Sequence, residues 1–153
     1  ELIVPPRIQK EFYKGVPHRD AWAAVSGPWP AVYNGDIFTP EDAAALFRDF
    51  PGTNAVMLGR GLMRDPALLR RLRGGPDASA QELRTYHDRL LEAYRHRLSG
   101  DQPVMHRMWE LWAYLSAGFT RPEPYLKRMR KAKNLSEYRA AVDALFREQR
   151  YTT

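Results

Sequence analysis

The segment WPAVYNGDIFTPEDAAALFRDFPGTNAVML, residues 29–58, places two short apolar runs on either side of a helical stretch. The apolar runs are WPAVY (29–33) and NAVML (54–58), and PEDAAALFRDF (40–50) lies between them. Short apolar strands that are separated by a helix are typical of a βαβ unit, in which the strands pair in parallel and are buried on both faces. The segment therefore predicts an α/β fold with a parallel sheet.

The same alternation extends over residues 1–73. LIV (2–4) precedes a helical stretch, HRDAWAAV (18–25), and LMRDPALLRRLR (62–73) predicts one helix after the third apolar run. Three parallel strands cannot close a barrel, and an open parallel sheet leaves unpaired edges. The sheet therefore pairs with another chain or belongs to a longer polypeptide, and a strand that is already under way at Glu1 favours the second.

The remainder of the chain predicts only helices. GGPDAS (74–79) ends the alternation, and Ser79 with Glu82 then forms a capping box. Apolar residues at helical spacing continue to the end of the chain, and Asn134 with Glu137 suits the start of a fourth helix. We expect an α/β part over 1–75, followed by a small all-α bundle of four helices over 76–153.

Composition limits the classes of function. The chain has 153 residues, 44% hydrophobic and 27% charged, which is typical of a soluble globular protein. No apolar run approaches the roughly 20 residues that a transmembrane helix needs, and we expect a cytoplasmic protein. The absence of cysteine excludes thiolate metal sites and a cysteine nucleophile within this chain. The histidines lack metal-ligand spacing, and His87 and His96 lie on an otherwise polar side of their predicted helix. We therefore expect no metal and no catalytic role for His18, His87, His96 and His106.

Two glycine-bearing turns follow consecutive predicted strands, Asn34-Gly35-Asp36 and Gly59-Arg60-Gly61. In (β/α)₈ barrels, phosphate sites commonly form from the loops after the last two strands, beside a helix N-terminus. Glycine lets the backbone approach a phosphate closely, and arginine can bind phosphate through two hydrogen bonds. The turns therefore predict an anion site, with ordinary βα turns as the alternative.

The sequence around these turns resembles the tRNA-dihydrouridine synthase family. PAVYNGDIFTPEDAAAL (30–46) and AVMLGRGLMRDPALL (55–69) resemble the end of that family's barrel, and PRIQKEFYKGVPHRDAW (6–22) resembles the segment before it. MHRMWELWAYLSAGF (105–119) is similar to the family's C-terminal helical domain. The resemblance covers nearly the whole chain.

The resemblance implies an oxidoreductase that uses FMN, with NADPH as reductant, to reduce uridine to 5,6-dihydrouridine in tRNA. It implies that this chain is the C-terminal part of a TIM (β/α)₈ barrel followed by a helical tRNA-binding domain. By position, the FMN phosphate side would be held by the two turns, through Asn34, Gly35, Asp36, Gly59 and Arg60. Arg7 matches a basic residue at the mouth of the barrel, where RNA would bind.

This sequence departs from the family in two respects. The family's proton-donating cysteine and its flavin-contacting lysine belong to the first half of the barrel, so we expect no catalytic residue in this chain and a missing N-terminal barrel half as its partner. The family also usually has a histidine that contacts FMN just before the arginine. Here the stretch reads Val4-Pro5-Pro6-Arg7, and Pro5 has no side-chain donor.

A dense basic segment, RPEPYLKRMRKAK (121–133), lies in the helical part. Basic residues at this density suit phosphate contacts, although a solvated helix face is the alternative. With the family resemblance, we expect tRNA contacts from Lys127, Arg128, Arg130 and Lys131. Trp109 and Trp112 lie in an apolar stripe, which places both in the helical core rather than in a base-stacking role.

Three hypotheses follow. The first is the C-terminal fragment of an FMN-dependent tRNA-dihydrouridine synthase, inactive by itself. The second is a non-enzymatic RNA-binding helical module with a degenerate barrel remnant. The third is another FMN- or phosphate-binding barrel, which would share the glycine turns but would have no need for the basic segment.

Overall fold

The structure, a computed structural model, describes residues 2–11, 15–25 and 30–152. It is mostly helical, with one three-stranded parallel sheet. The chain divides into two compact units, each with its own apolar core. The first unit comprises Glu1–Leu62 with Leu68–Gly75, and the second comprises Met63–Ala67 with Pro76–Thr153.

The sheet of the first unit contains β1 (Leu2–Val4), β2 (Ala31–Tyr33) and β3 (Ala55–Val56), in chain order and all parallel. Leu2 is opposite Ala31 and Val32 is opposite Ala55. All three residues of the central strand, β2, are buried, which explains why that run is apolar throughout. The predicted parallel pairing is confirmed, although the strands are shorter than the apolar runs.

The first unit also contains a 3₁₀ turn (Gln9–Glu11), the helices α1 (Arg19–Ala23), α2 (Pro40–Asp49) and α4 (Leu68–Leu72), and the start of α3 (Arg60–Arg64). The predicted start of α2 is confirmed. The Asp42 backbone N–H donates to Thr39 Oγ1 at 3.1 Å, and the Asp42 carboxylate accepts the Thr39 backbone N–H at 2.9 Å. Both bonds satisfy donors that the first helical turn leaves unpaired.

The prediction of one helix over 62–73 is wrong, because the chain forms α3 and α4 with a break between them. Pro66 lies in the break, and proline lacks a backbone N–H and disfavours helical conformation in the residue before it. The Asp65 side chain accepts the Ala67 backbone N–H at 2.9 Å, which stabilises the turn. The proline therefore overrides the helical spacing of the apolar residues.

The second unit contains α5 (Ala80–Arg97), α6 (Asp101–Leu115), a 3₁₀ turn (Ser116–Gly118), α7 (Glu123–Lys131) and α8 (Leu135–Glu148). The four helices expected here are present. Ser79 Oγ accepts the Glu82 backbone N–H at 3.1 Å, and Asn134 Oδ1 accepts the Glu137 backbone N–H at 2.9 Å. Fully buried side chains from all four helices form the core, including Leu83, Met108, Trp112, Met129, Tyr138 and Leu145.

Candidate functional site

Three charged side chains meet at the carboxyl ends of the strands. Arg7 follows β1, Asp36 follows β2, and Arg60 follows β3 at the start of α3. The Asp36 carboxylate accepts hydrogen bonds from the guanidinium groups of both Arg7 and Arg60. Arg7 also donates to the Gly15 carbonyl oxygen. Neighbouring parallel strands end at the same edge of the sheet, so residues far apart in sequence form one strand-end cluster of Arg7, Asp36 and Arg60.

The strand-end cluster carries two positive charges and one negative charge in a partly desolvated position. The side chain of Arg7 is only 8% exposed, whereas those of Asp36 and Arg60 are 26% and 23% exposed. Charges interact more strongly in such surroundings than in bulk water. Arg7 is held on both sides by Asp36 and Gly15, which leaves Arg60 as the more accessible arginine. The cluster is therefore suited to attract one anion.

The predicted site residues differ in how the structure places them. Asp36 and Arg60, which belong to different predicted turns, are in direct contact. Arg7, which the sequence assigned to the RNA side, lies in the same cluster. The Asn34 backbone N–H donates to the Val4 carbonyl at 3.0 Å and extends the β1–β2 pairing, so its backbone is committed to the sheet. The roles of these residues in cofactor and RNA binding stay predictions.

The three glycines of the two turns differ in the space around their Cα atoms. A Cβ atom at Gly35 would collide with the Tyr33 ring, and one at Gly61 would collide with Ile37 and Leu68. A Cβ atom at Gly59 would meet nothing within 4 Å. Gly35 and Gly61 therefore permit close packing within the first unit. Gly59 alone has open space that a ligand could enter.

Tyr33, the last residue of β2, contributes an unusual polar group. Its side chain is fully buried. Burial raises the pKa of Tyr33, and the Arg19 guanidinium opposes that shift through its charge and through a side-chain hydrogen bond to the hydroxyl. Arg19 on α1 is therefore placed to stabilise this buried hydroxyl from within the chain.

A largely apolar pocket of about 390 Å³ lies beside β1. Its walls include Val4, Pro5, Ile8 and Trp22, with the side chain of His18 at its edge. Pro5 thus lines the pocket, in the stretch where the resembled family usually has a histidine. His18, which precedes α1, also lines this pocket, a placement that the sequence did not predict. Phe12 and Tyr13 of segment 6–22 lie outside the described residues.

In the second unit, the predicted RNA-binding residues lie on the exposed surface of α7. Within the described residues, no hydrogen bond or ion pair joins Lys127, Arg128 or Lys131 to another side chain. Arg128 only adds to the electrostatic stabilisation of Glu148 on α8. Lys127 and Lys131, which have no carboxylate partner within the described residues, can contact phosphates without first breaking an ion pair.

Arg130 differs from the other basic residues of α7. Its guanidinium carbon lies 3.9 Å from the centroid of the Trp109 ring, which is a cation–π contact. Trp109 is half-buried, whereas Trp112 is 1% exposed. The prediction that both tryptophans belong to the helical core is therefore confirmed for Trp112 and wrong for Trp109, because Trp109 lies at the edge of the buried stripe.

A buried polar network crosses the core of the second unit. Trp112 Nε1 donates to the Tyr138 hydroxyl oxygen at 2.7 Å, and that hydroxyl lies 2.8 Å from His87 Nε2. His87 Nδ1 lies 2.8 Å from Asp88 Oδ1. An indole N–H can only donate, so the Tyr138 hydrogen is left to donate to His87 Nε2. The imidazole hydrogen is then on Nδ1, where it bonds to Asp88.

This network explains three altered pKa values. Burial lowers the pKa of His87, although the hydrogen bond to Asp88 opposes the shift. Burial also raises the pKa of Tyr138. Partial burial by itself would raise the pKa of Asp88, but hydrogen bonds from His87 and Arg84 hold that pKa below its usual range. The placement of His87 on a polar helix face, which the sequence suggested, is wrong, because the side chain is 1% exposed.

The described ranges 2–11, 15–25 and 30–152 lack two further classes of site. No group of three histidine, aspartate or glutamate side chains there is placed to hold a metal ion. No helix in those ranges combines the length and the apolarity that a membrane crossing requires.

The first unit therefore defines an α/β protein with a charged site at its strand ends, and a helical unit with a basic helix follows it. The dihydrouridine synthase family model matches residues 2–150. The chain belongs to that family. The match covers both units, so it includes the strand-end cluster and the helices together.

Curated proteins with related sequences agree with this assignment. The chain is 29% identical to a tRNA-dihydrouridine(16) synthase of Cupriavidus necator over 150 residues, which cover 88% of this chain and 46% of that protein. It is 26% identical to a tRNA-dihydrouridine(16) synthase of Neisseria meningitidis over 155 residues, with 96% and 46% covered. A Ralstonia nicotianae protein of the same name is 36% identical over 75 residues, 48% of this chain and 23% of that protein. The chain thus spans about half the length of the first two relatives.

Proposed function

We propose that this chain is the C-terminal part of an FMN-dependent tRNA-dihydrouridine synthase, which reduces uridine to 5,6-dihydrouridine in tRNA with NADPH. The observation that carries the proposal is the family match over residues 2–150. The relatives are named for position 16 of tRNA, which makes that uridine the first position to examine in the product. Residues 1–75 would form part of the (β/α)₈ barrel, and 76–153 the helical tRNA-binding domain.

The state of β1 supports a missing N-terminal barrel half as partner. Within the described residues, β1 pairs only with β2, so its other edge is open. Leu2 and Ile3 on this strand are 56% and 51% exposed. An open strand edge that carries exposed apolar side chains is suited to pair with another strand. A preceding strand of the barrel would satisfy both the backbone and the side chains.

The residues at the strand ends fit the phosphate of FMN. Arg60 is accessible, Gly59 has open space beside its backbone, and the strand-end cluster carries a net positive charge. FMN, when bound, would supply the redox chemistry. This chain would hold the phosphate side through Asn34, Gly35, Asp36, Gly59 and Arg60, with Arg7 fixing the position of Asp36.

The helical unit would bind tRNA through α7. Lys127, Arg128, Arg130 and Lys131 supply positive charge on an exposed surface. Phosphate contacts give affinity without reading the bases, and they weaken as salt rises. Replacing Lys127 and Lys131 by alanine together should lower the slope of log affinity against log salt by about 1 to 2. An unchanged slope and affinity would mean that α7 is only a solvated surface.

The central test is activity of the chain by itself. It contains no cysteine to donate a proton to the uracil ring, so we expect no catalysis. NADPH oxidation is measured with unmodified tRNA and added FMN, and the complete enzyme from Neisseria meningitidis serves as the positive control. Turnover above the level without protein would contradict the proposal that the catalytic residues lie in a separate part of the barrel.

A second test concerns the cofactor. In the complete protein, Arg60→Ala should weaken FMN retention by about 1.5–3 kcal/mol, because a hydrogen bond between charged groups is lost. Arg48→Ala is the matched control, since Arg48 is an exposed arginine of α2 that pairs with Asp49. Flavin content after purification, and FMN titration of the apoprotein, measure the effect. Equal flavin content in both variants would argue against a role for Arg60.

One observation favours the non-enzymatic alternative. The second unit has a complete core and a satisfied polar network, as an independent RNA-binding module would. The two proposals differ in what they require of the first unit. An enzyme needs the strand-end cluster to retain FMN, whereas a module tolerates its loss, so the Arg60 variant separates them.

A further inference from the structure

A small pocket between α6 and α7 lies next to the Trp109–Arg130 contact. Its volume is about 180 Å³, and its walls are formed by Met105, Trp109, Met129 and Ala132. Gln102, His106 and Arg130 complete its lining. Sites for whole small molecules usually measure roughly 300 Å³ or more. This pocket therefore suits one group of a larger ligand.

The charge and shape of the pocket point to the chemistry of that group. No carboxylate lines it, although the Glu110 carboxylate lies 3.9 Å from Nε2 of the lining residue His106. Apolar walls suit the flat face of an aromatic ring, whereas the guanidinium suits a phosphate. An unpaired nucleotide combines both chemical features, and RNA-binding proteins commonly stack such bases on aromatic or guanidinium planes.

Arg130 is held in place before any ligand binds. Its contact with the Trp109 ring, 3.9 Å from guanidinium carbon to ring centroid, restricts the side chain, so less side-chain entropy is lost when it binds. Lys127 and Lys131 on the same helix lack such a contact. A planar guanidinium can bond to phosphate along its edge while its outer face remains available for stacking, which an ammonium cannot do.

We propose that this pocket is a subsite for one unpaired nucleotide of RNA, with the base against the Trp109 wall and the phosphate on Arg130. Trp109 would position Arg130 and also contact the base. The proposal rests on the proposed tRNA binding by the second unit and adds a base-dependent contact to it. The basic residues of α7 by themselves would supply only salt-dependent, base-independent affinity.

The test uses the full 153-residue chain. Binding is measured to an unmodified tRNA transcript, to a short single-stranded oligouridylate, and to its abasic counterpart with the same number of phosphates. Arg130→Lys keeps the charge but removes the planar stack, and Trp109→Leu removes the aromatic wall. Lys127→Ala is the matched control, because it removes a charge from the same helix outside the pocket.

We expect Arg130→Lys and Trp109→Leu each to weaken tRNA and oligouridylate binding by about 5-fold or more, the low end for loss of one stacked base. Trp109→Leu should leave binding of the abasic oligomer unchanged, and Arg130→Lys should weaken it less than it weakens the natural oligomer, whereas Lys127→Ala should weaken all three ligands similarly. Thermal unfolding checks that the variants are folded. If Trp109→Leu does not fold, Arg130→Lys alone tests the subsite, because Arg130 is exposed and its replacement should not disturb the fold.

Two results would overturn the subsite. The first is that both variants bind tRNA with wild-type affinity. The second is that each variant loses the same affinity for the abasic oligomer as for the natural one. In both cases wild-type tRNA binding stands, and the proposed function is unaffected. A wild-type chain that fails to bind tRNA at low salt would instead overturn the proposed tRNA role of the second unit, and the subsite with it.

Discussion

The two units satisfy their polar groups in different ways. In the second unit, Trp112, Tyr138 and His87 form a chain of hydrogen bonds inside a complete apolar core. In the first unit, the strand-end cluster is partly exposed and carries two positive charges and one negative charge. A closed network stabilises its own unit. A partly exposed cluster with a net positive charge is instead suited to bind an anion.

The apolar surfaces show the same contrast. Most exposed large apolar side chains belong to the first unit, among them Leu2, Ile3, Ile8 and Val16. The second unit buries its long side chains between four helices. The first unit therefore leaves more large apolar side chains exposed than the second unit does, within the described residues. The following variants test this difference, beginning with the largest expected effect.

Tyr138→Phe tests whether the network of the second unit is closed. The variant removes the acceptor of the Trp112 N–H and the donor to His87 Nε2, and each buried group left unpaired costs about 1–3 kcal/mol. We expect the largest loss here, measured as the free energy of unfolding in urea. Tyr86→Phe is the control, since the Tyr86 hydroxyl has no hydrogen bond within the described ranges. Equal losses for the two variants would show that the network adds no stability.

Gly35→Ala tests packing at the strand ends of the first unit. The new Cβ atom would collide with the Tyr33 ring, which must then move. Overpacking of this kind costs about 1–3 kcal/mol. Gly59→Ala is the matched control, because its Cβ atom enters open space and we expect a change of less than about 0.5 kcal/mol. Thermal unfolding measures both, and a larger loss for Gly59→Ala would reverse the roles assigned to the two glycines.

Local features of the fold were predictable from sequence, and long-range ones were not. The helix starts at Thr39, Ser79 and Asn134 depend on residues three apart, so the caps could be identified without tertiary information. The contact of Arg7 with Asp36 depends on the order of the strands and on the loop that brings Gly15 to Arg7. The three charged residues could therefore be identified from the sequence, but the contacts between them could not.

The misplacement of His87 has a different origin, because the signal was present. His87 lies four residues after Leu83 and four before Leu91, and all three are buried. That spacing places His87 on the core face of α5. Because histidine is a polar residue, this apolar spacing was not recognised at position 87. The half-burial of Trp109 was not available from spacing, since it depends on how far α7 covers the edge of α6.

The pH dependence of stability gives the smallest expected effect and the sharpest distinction between the units. Burial lowers the pKa of His87 below its ordinary value of about 6.5, so the folded state favours the neutral imidazole. Its contribution to stability is full above pH ~6.5 and is lost as the pH falls from there through the lower folded pKa. The slope of unfolding free energy against pH can reach about 1.4 kcal/mol per pH unit within that window.

Three charged groups act on this titration: Asp88, which is bonded to Nδ1, and the guanidiniums of Arg84 and Arg139. Asp88 itself has a lowered pKa, so its stabilising contribution is lost only below pH ~3.9 and the two effects separate. Urea unfolding between pH 5 and about 7.5 should show the His87 slope in the wild type and in His96→Gln, whose histidine is exposed. His87→Gln should abolish this slope, even if the variant has a lower free energy of unfolding than the wild type. If His87→Gln keeps the wild-type slope, the acid sensitivity comes from elsewhere in the chain, and the closed network is not what distinguishes the second unit.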